Sequence, residues 1–374
     1  MIANKEQLMD FDDIAPYNQQ QINDALLWLS GNEMFIKGVQ YFYPKWTKND
    51  IAQKTKACSS CSDFQVTFIE PMIRKLIEKS INKLTITGLE TIKNGDSHLY
   101  ISNHRDIFLD SGLLQYTLYH RGYPFTEISL GDNLIVNDIM ERVAKLNNMF
   151  TVFRSGTKSE LLKNAQKLSA YLRYAITEKK ASAWIAQGNG RTKDGNDRTF
   201  PGLINMLLMS ARGDLKEALE DLKIVVSSIS FEYEPCALEK AMELQTKEDT
   251  GEYIKSPNEN INSIIKGIEE YKGNVNLHFE KLNVNKIDFS LNKKEIIKAV
   301  AHEIDHIVYA NYKIFKTNYM AHDILFNTNS FTQYYTPEEK QTFNRYIEAA
   351  NPENEIQLRL LKMYVNPLVN KKLA

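Results

Sequence analysis

Cysteine is scarce in this chain: three residues in 374, Cys58, Cys61 and Cys236. So few cannot build the disulfide framework that holds small secreted domains together. Long apolar runs are missing too, and none approaches the ~18 residues of a membrane-crossing helix. Charge of one sign is also missing. There are 46 Lys and Arg against 47 Asp and Glu, a net charge of -1, so no global field draws nucleic acid or anionic lipid to the chain. The opening segment, MIANKEQLMDFDDIAPY, is polar and acidic and lacks the basic and apolar regions of a secretory leader. Together these absences predict a cytoplasmic protein with no nucleic-acid partner.

What is present is an ordinary globular balance, 43% hydrophobic and 25% charged, enough to bury a core. The length exceeds the ~100–200 residues of a typical domain, so helical additions or a second domain are expected. Up to Leu84 the pattern is helical. FIEPMIRKLIEKSINKL sets Met72, Ile73, Leu76, Ile77, Ile81 and Leu84 on one face, with Arg74, Lys75, Lys79 and Lys83 elsewhere. Packing on the rest of the chain is the expectation for this helix, with a membrane surface as the alternative. Beyond Leu84 short apolar runs alternate with helical patterns: LTITGLETI, HLYISNH, FTEISLG, MFTVFR, ASAWIAQG and KIVVSSISFEYE read as strands. That alternation predicts an α/β domain with a mostly parallel, mixed sheet flanked by helices. GNVNLHFEKL reads as one more strand, at the sheet edge, and from Asn292 onward the pattern is helical. The expected organisation is a helical region at 1–84, an α/β domain at 85–290 and a helical region at 291–374. The stretch 246–262 is the expected flexible loop.

Chemistry collects at strand ends, where open α/β sheets gather ligands. SNHRDIFLD carries His104 from a strand into a helix, beside Asp106 and Asp110. A neutral imidazole oriented by a carboxylate can take a proton from a hydroxyl. The plainer reading makes Asp106 a helix cap and His104 a loop residue. FTVFRSG ends a strand with Arg154. WIAQGNGRTKDGNDR mixes Gly188, Gly190 and Gly195 with Arg191, Lys193 and Arg198. Glycines let a ligand approach the backbone, and guanidinium and ammonium groups bind phosphate. One base and two cationic elements after strands of one sheet suit a hydroxyl acceptor that carries a phosphate.

In that order, NHRDIFLD, FTVFR, QGNGRTKDG and VVSSISFEYE resemble the four blocks of the glycerolipid acyltransferases, over roughly residues 85–235. The resemblance seats the chain nearest a bacterial subgroup with helical additions on both sides. It implies an O-acyltransferase of phospholipid synthesis, moving an acyl group from acyl-coenzyme A or acyl-carrier protein to glycerol phosphate or a lysophosphatidic acid. It implies no cofactor and no metal, and a peripheral place at the inner face of a membrane. Under it His104 is the general base. Its orienting aspartate stands four intervening residues on in the family, where this chain has Leu109. Asp110, one residue later, is the expected orienter, and Asp106 the cap. Arg154, with Phe153, fits the second block, as an acceptor-phosphate ligand. In the third block Gln187 replaces a glutamate and one residue is added. Arg191 and Lys193 there match spaced phosphate-binding cations, and the glycine-loop N–H groups (Gly188, Gly190) are candidate oxyanion donors. The alternative within the same fold is a catalytically inactive module that binds lipid or acyl-carrier protein.

Two further spellings compete. His302-Glu303-x-x-His306 matches the zinc-hydrolase motif, but no third ligand follows at short spacing and Asp305 sits between the histidines. An amphipathic helix burying Val300, Ile304, Ile307 and Val308 is the expectation. CSSC at 58–61 has no second pair and no redox context, and is expected to be incidental.

Overall fold

The computed structural model describes residues 10–211, 213–351 and 353–374. The first nine residues, half of the opening segment read above, lie outside the described residues. Seven strands form one sheet: β1 Ile81–Thr87, β2 Leu99–Ser102, β3 Glu127–Gly131, β4 Met149–Val152, β5 Ala183–Ala186, β6 Val225–Phe231 and β7 Gly273–Lys281. Their order is β1-β7-β6-β2-β5-β3-β4. Only the β6–β7 pair is antiparallel. The sheet is therefore mixed and mostly parallel, flanked by helices, as expected. β2 to β6 run the same way, so the ends of β2, β5 and β4 open on one edge of the sheet.

β2 shows why these segments are strands. Leu99 and Ile101 face one core layer and Tyr100 the other, the period-2 alternation of a strand buried on both faces. The first layer packs Ile185 and Val226 against Leu172 and Ile204. It also takes Val300, Ile304, Ile307 and Val308 from the Lys293–Asn311 helix, so part of the C-terminal region shares the sheet's own core. The second layer sets Trp184, Val225 and Leu277 against Leu113, Leu114, Ile73 and Leu76. The helices before residue 70 build a separate cluster around Leu26, Leu29, Phe35 and Phe68. Among the described residues no helix is long and apolar enough to cross a membrane.

Three local expectations are corrected. The helix expected to reach Leu84 ends at Ser80, and Ile81 opens β1. Residues 81–87 pair with β7, and sheet pairing outweighs helical periodicity over so short a stretch. β7 is not an edge strand: it lies between β1 and β6. With a strand on each side, even its Asn276 is buried. The stretch 246–262 is helical at both ends, and only 251–258 connects Ala237–Thr250 to Glu259–Glu269. A short helix, Leu215–Glu220, gave no recognised signal.

Candidate active site

β2 ends at Ser102, and the chain turns through 103–108 before the Leu109–His120 helix begins. Asp106 shapes that turn: its Oδ1 accepts the N–H groups of Phe108 (2.9 Å) and Leu109 (2.8 Å), capping the helix start. Asp110, in the first helical turn, points back. Its Oδ2 lies 2.8 Å from His104 Nδ1 and accepts the N–H groups of Arg105 (2.7 Å) and Asp106 (3.0 Å). The capped turn absorbs the extra residue between histidine and aspartate. Burial pushes the Asp110 carboxyl up, and the bond to His104 opposes that shift. Three donors converging on one oxygen favour the carboxylate, which sets Nδ1–H toward Asp110 and leaves the Nε2 lone pair free. The His104 side chain is 12% exposed and lines a cleft of about 640 Å³.

A buried charge cluster locks this turn in place. Arg105 donates to Asp197 through Nε (2.9 Å) and Nη2 (2.6 Å), and to Glu234 through Nη1 (3.0 Å). Lys240 donates to Glu234 (2.6 Å) and to the Arg105 carbonyl (2.5 Å). Asn103 bridges Asp197 and the Ile229 carbonyl of β6. Burial opposes the Arg105 charge, but Asp197 and Glu234 hold the guanidinium firmly protonated. Two cations and two carboxylates thus neutralise one another away from water, each with hydrogen-bond partners, as burial of charge requires. Sequence reasoning missed all four residues. The only available signal was an arginine directly after the candidate histidine. Its partners lie 92 and 129 positions away.

The loop after β5 forms the cleft's rim. Gly190 has φ +91° and Gly195 φ +81°, left-handed conformations that favour glycine, and a Cβ at Gly195 would collide with the Met363 carbonyl. Thr192 N–H donates to the His104 carbonyl (2.6 Å), which fastens the loop beside the histidine. The N–H groups of residues 188–191 have no hydrogen-bond partner among the described residues, which leaves them open to a ligand oxygen. Arg191 and Lys193 line the cleft with Gly188 and Gly190. Arg191 Nη2 reaches Ser263 (3.3 Å), and Nη1 has no partner. Gln187 also lines the cleft at 2% exposure, with neither amide atom paired. Each such orphan costs ~1–3 kcal/mol unless a ligand or water satisfies it.

Arg154 is not brought to this cleft. It follows β4, near the far edge of the sheet, where its N–H donates to Asp132 (3.2 Å). His302 and His306 lie on Lys293–Asn311. His302 lines the cleft, while Glu303 pairs with Lys286 at 2.7 Å. Among the described residues no three His, Cys, Asp or Glu side chains are grouped to hold a metal ion. Cys58 is buried and Cys61 half-buried, both as free thiols. Burial pushes the Cys61 thiol up to about 11 and raises Cys58 as well, the opposite of a reactive pair.

Residues 83–230 match the model of a family described as Acyltransferase. No curated protein matches the chain. Among solved structures, the 1-acyl-sn-glycerophosphate (LPA) acyltransferase PlsC from Thermotoga maritima aligns at 13% identity and TM-score 0.40, covering 78% of this chain and 96% of its own.

Proposed function

With residues 83–230 an acyltransferase-family domain, we propose that the chain transfers a fatty acyl group from a thioester, acyl-coenzyme A or acyl-carrier protein, to a hydroxyl of glycerol phosphate or lysophosphatidic acid. The observation that carries this reading is the His104–Asp110 pair, 2.8 Å apart, beside a cleft whose glycine loop also presents Arg191. His104 Nε2 takes the acceptor hydroxyl proton as its oxygen bonds to the thioester carbon. The negative charge on the carbonyl oxygen is met by unpaired N–H groups of the loop. The carbon–sulfur bond then breaks, and the leaving thiolate takes the proton from His104. Arg191 and Lys193 grip the acceptor's phosphate. Arg154 fits no step of this scheme, so the acceptor phosphate is assigned to the loop cations alone. The product is a lipid, so the reading places the chain peripherally on the cytoplasmic face of a membrane.

The test is His104→Ala, assayed by thiol release from acyl donors with glycerol phosphate and lysophosphatidic acid as acceptors. Activity is expected to fall by ~10²–10⁴ with the thermal unfolding midpoint retained. Undiminished turnover removes the assignment.

A further inference from the structure

The cleft has two walls, and they hold their cations differently. On one wall Arg191 reaches Ser263 of the Glu259–Glu269 helix, and Lys193 pairs with Glu243 of the Ala237–Thr250 helix at 3.0 Å. Lys247 shares the same carboxylate at 2.7 Å. The other wall is the Lys293–Asn311 helix, outside the family segment, which brings Lys298, His302 and Asp305 to the cleft. The rim loop is anchored to it: Thr199 N–H donates to Asp305 Oδ1 at 2.6 Å. Lys298 and His302 are exposed, one helical turn apart, and neither forms a hydrogen bond or ion pair among the described residues. Between the walls, Thr199 is 4% exposed and its hydroxyl has no partner. At the lip Phe200 is 58% exposed.

We propose that this second wall is an anion site for the phosphate of the 4′-phosphopantetheine arm that carries the acyl thioester. The inference rests on the acyl-transfer reading. Both substrates must meet at His104, and each carries phosphate. A volume of about 640 Å³ suits a drug-sized ligand rather than one headgroup. Lys193 and Lys247 share the single Glu243 carboxylate, whereas Lys298 and His302 keep their donors free for a second phosphate. Asp305 is the wall's own carboxylate: its Oδ1 accepts the Thr199 N–H, and among the described residues it forms no ion pair with Lys298 or His302. Phe200 offers apolar surface to the pantetheine chain.

The test uses the full chain and steady-state thiol release, varying donor and acceptor separately. The double variant Lys298→Gln/His302→Gln is expected to raise the KM for acyl-coenzyme A roughly fivefold or more, with the acceptor KM little changed. Arg191→Ala is expected to do the reverse. Lys294→Gln, exposed on the same helix but outside the cleft, serves as control. An unchanged donor KM in the double variant, or a rise in the acceptor KM instead, overturns the inference and leaves the acyl-transfer reading standing. The same shift with acyl-carrier protein as donor supports the shared arm. A shift confined to coenzyme A moves the site to its nucleotide phosphates and overturns that assignment. If the wild type releases no thiol with any acceptor, the acyl-transfer reading fails. Calorimetry with coenzyme A then decides the site: weaker binding by the double variant supports it, and no binding by the wild type overturns it.

Discussion

Replacing Arg105 with methionine probes the device that holds the site together. Arg105→Met keeps most of the side-chain bulk and removes the guanidinium, with its bonds to Asp197 and Glu234. Glu234 retains Lys240 at 2.6 Å. Asp197 is left buried with Asn103 Nδ2, at 3.1 Å, as its remaining partner. The cluster goes from neutral to a net charge of −1. Removing one partner of a buried pair costs ~3–5 kcal/mol, because the other charge stays out of water. The loss should depend on pH, with a definite sign. In the variant, Asp197 stays buried without its cation, and burial disfavours the charged form of a carboxyl. The folded state then favours the protonated form, and stability is lost as pH rises. The penalty is therefore larger at pH 8 than at pH 5. Urea unfolding of wild type and variant at both pH values measures it. Adding Asp197→Asn to the variant should recover a large share of the loss at pH 8, since the orphaned charge is gone. A penalty below about 1 kcal/mol, or one independent of pH, would refute the view that Arg105 compensates two buried carboxylates.

Asp110→Asn should leave the turn folded, because the amide oxygen can still accept the Arg105 and Asp106 N–H groups. It should lower kcat at least a hundredfold with little change in acceptor KM, measured by thiol release. A kcat within threefold of wild type would remove the orienting role. Asp305 gives a second pH signature. Burial lifts its carboxyl to about 6, against the opposing Thr199 bond. The folded state holds the proton between the unfolded value, ~3.9, and about 6, so its contribution to stability is lost as pH rises through that window. Asp305→Asn should therefore gain about 1–3 kcal/mol over wild type above pH 7 and nothing near pH 4. A difference that does not change between those pH values sinks the prediction.

The sequence by itself determined the architecture wherever one segment contained the whole signal. β2 and β5 are short apolar strands buried in the middle of the sheet, and such strands need no distant information to be recognised. His104, the glycine loop and their places at strand ends were legible for the same reason: strand, turn and helix start are local events. Asp106 and Asp110 were both legible as carboxylates near the histidine. Which one faced it depended on how the turn folded, and the cap at Asp106 leaves Oδ2 of Asp110 to the ring.

Only the tertiary structure decided the rest. β7 could not be placed from its pattern, because the second strand that covers Asn276 and its neighbours comes from residues 81–87. The partners of Arg105 lie in the rim loop and beyond β6. No spacing rule connects them, because a neutral buried cluster is a property of charges meeting in space. Arg154 shows the converse. It ends a strand of the same sheet, as its sequence suggests, yet it follows β4 near the far edge while His104 follows the central β2. Lys298 and His302 sit nearly 200 residues from His104 and join its cleft only because the apolar face of their helix packs into the sheet's core. Local chemistry names the candidates, and packing chooses among them, because burial and charge compensation are settled between segments distant in the chain.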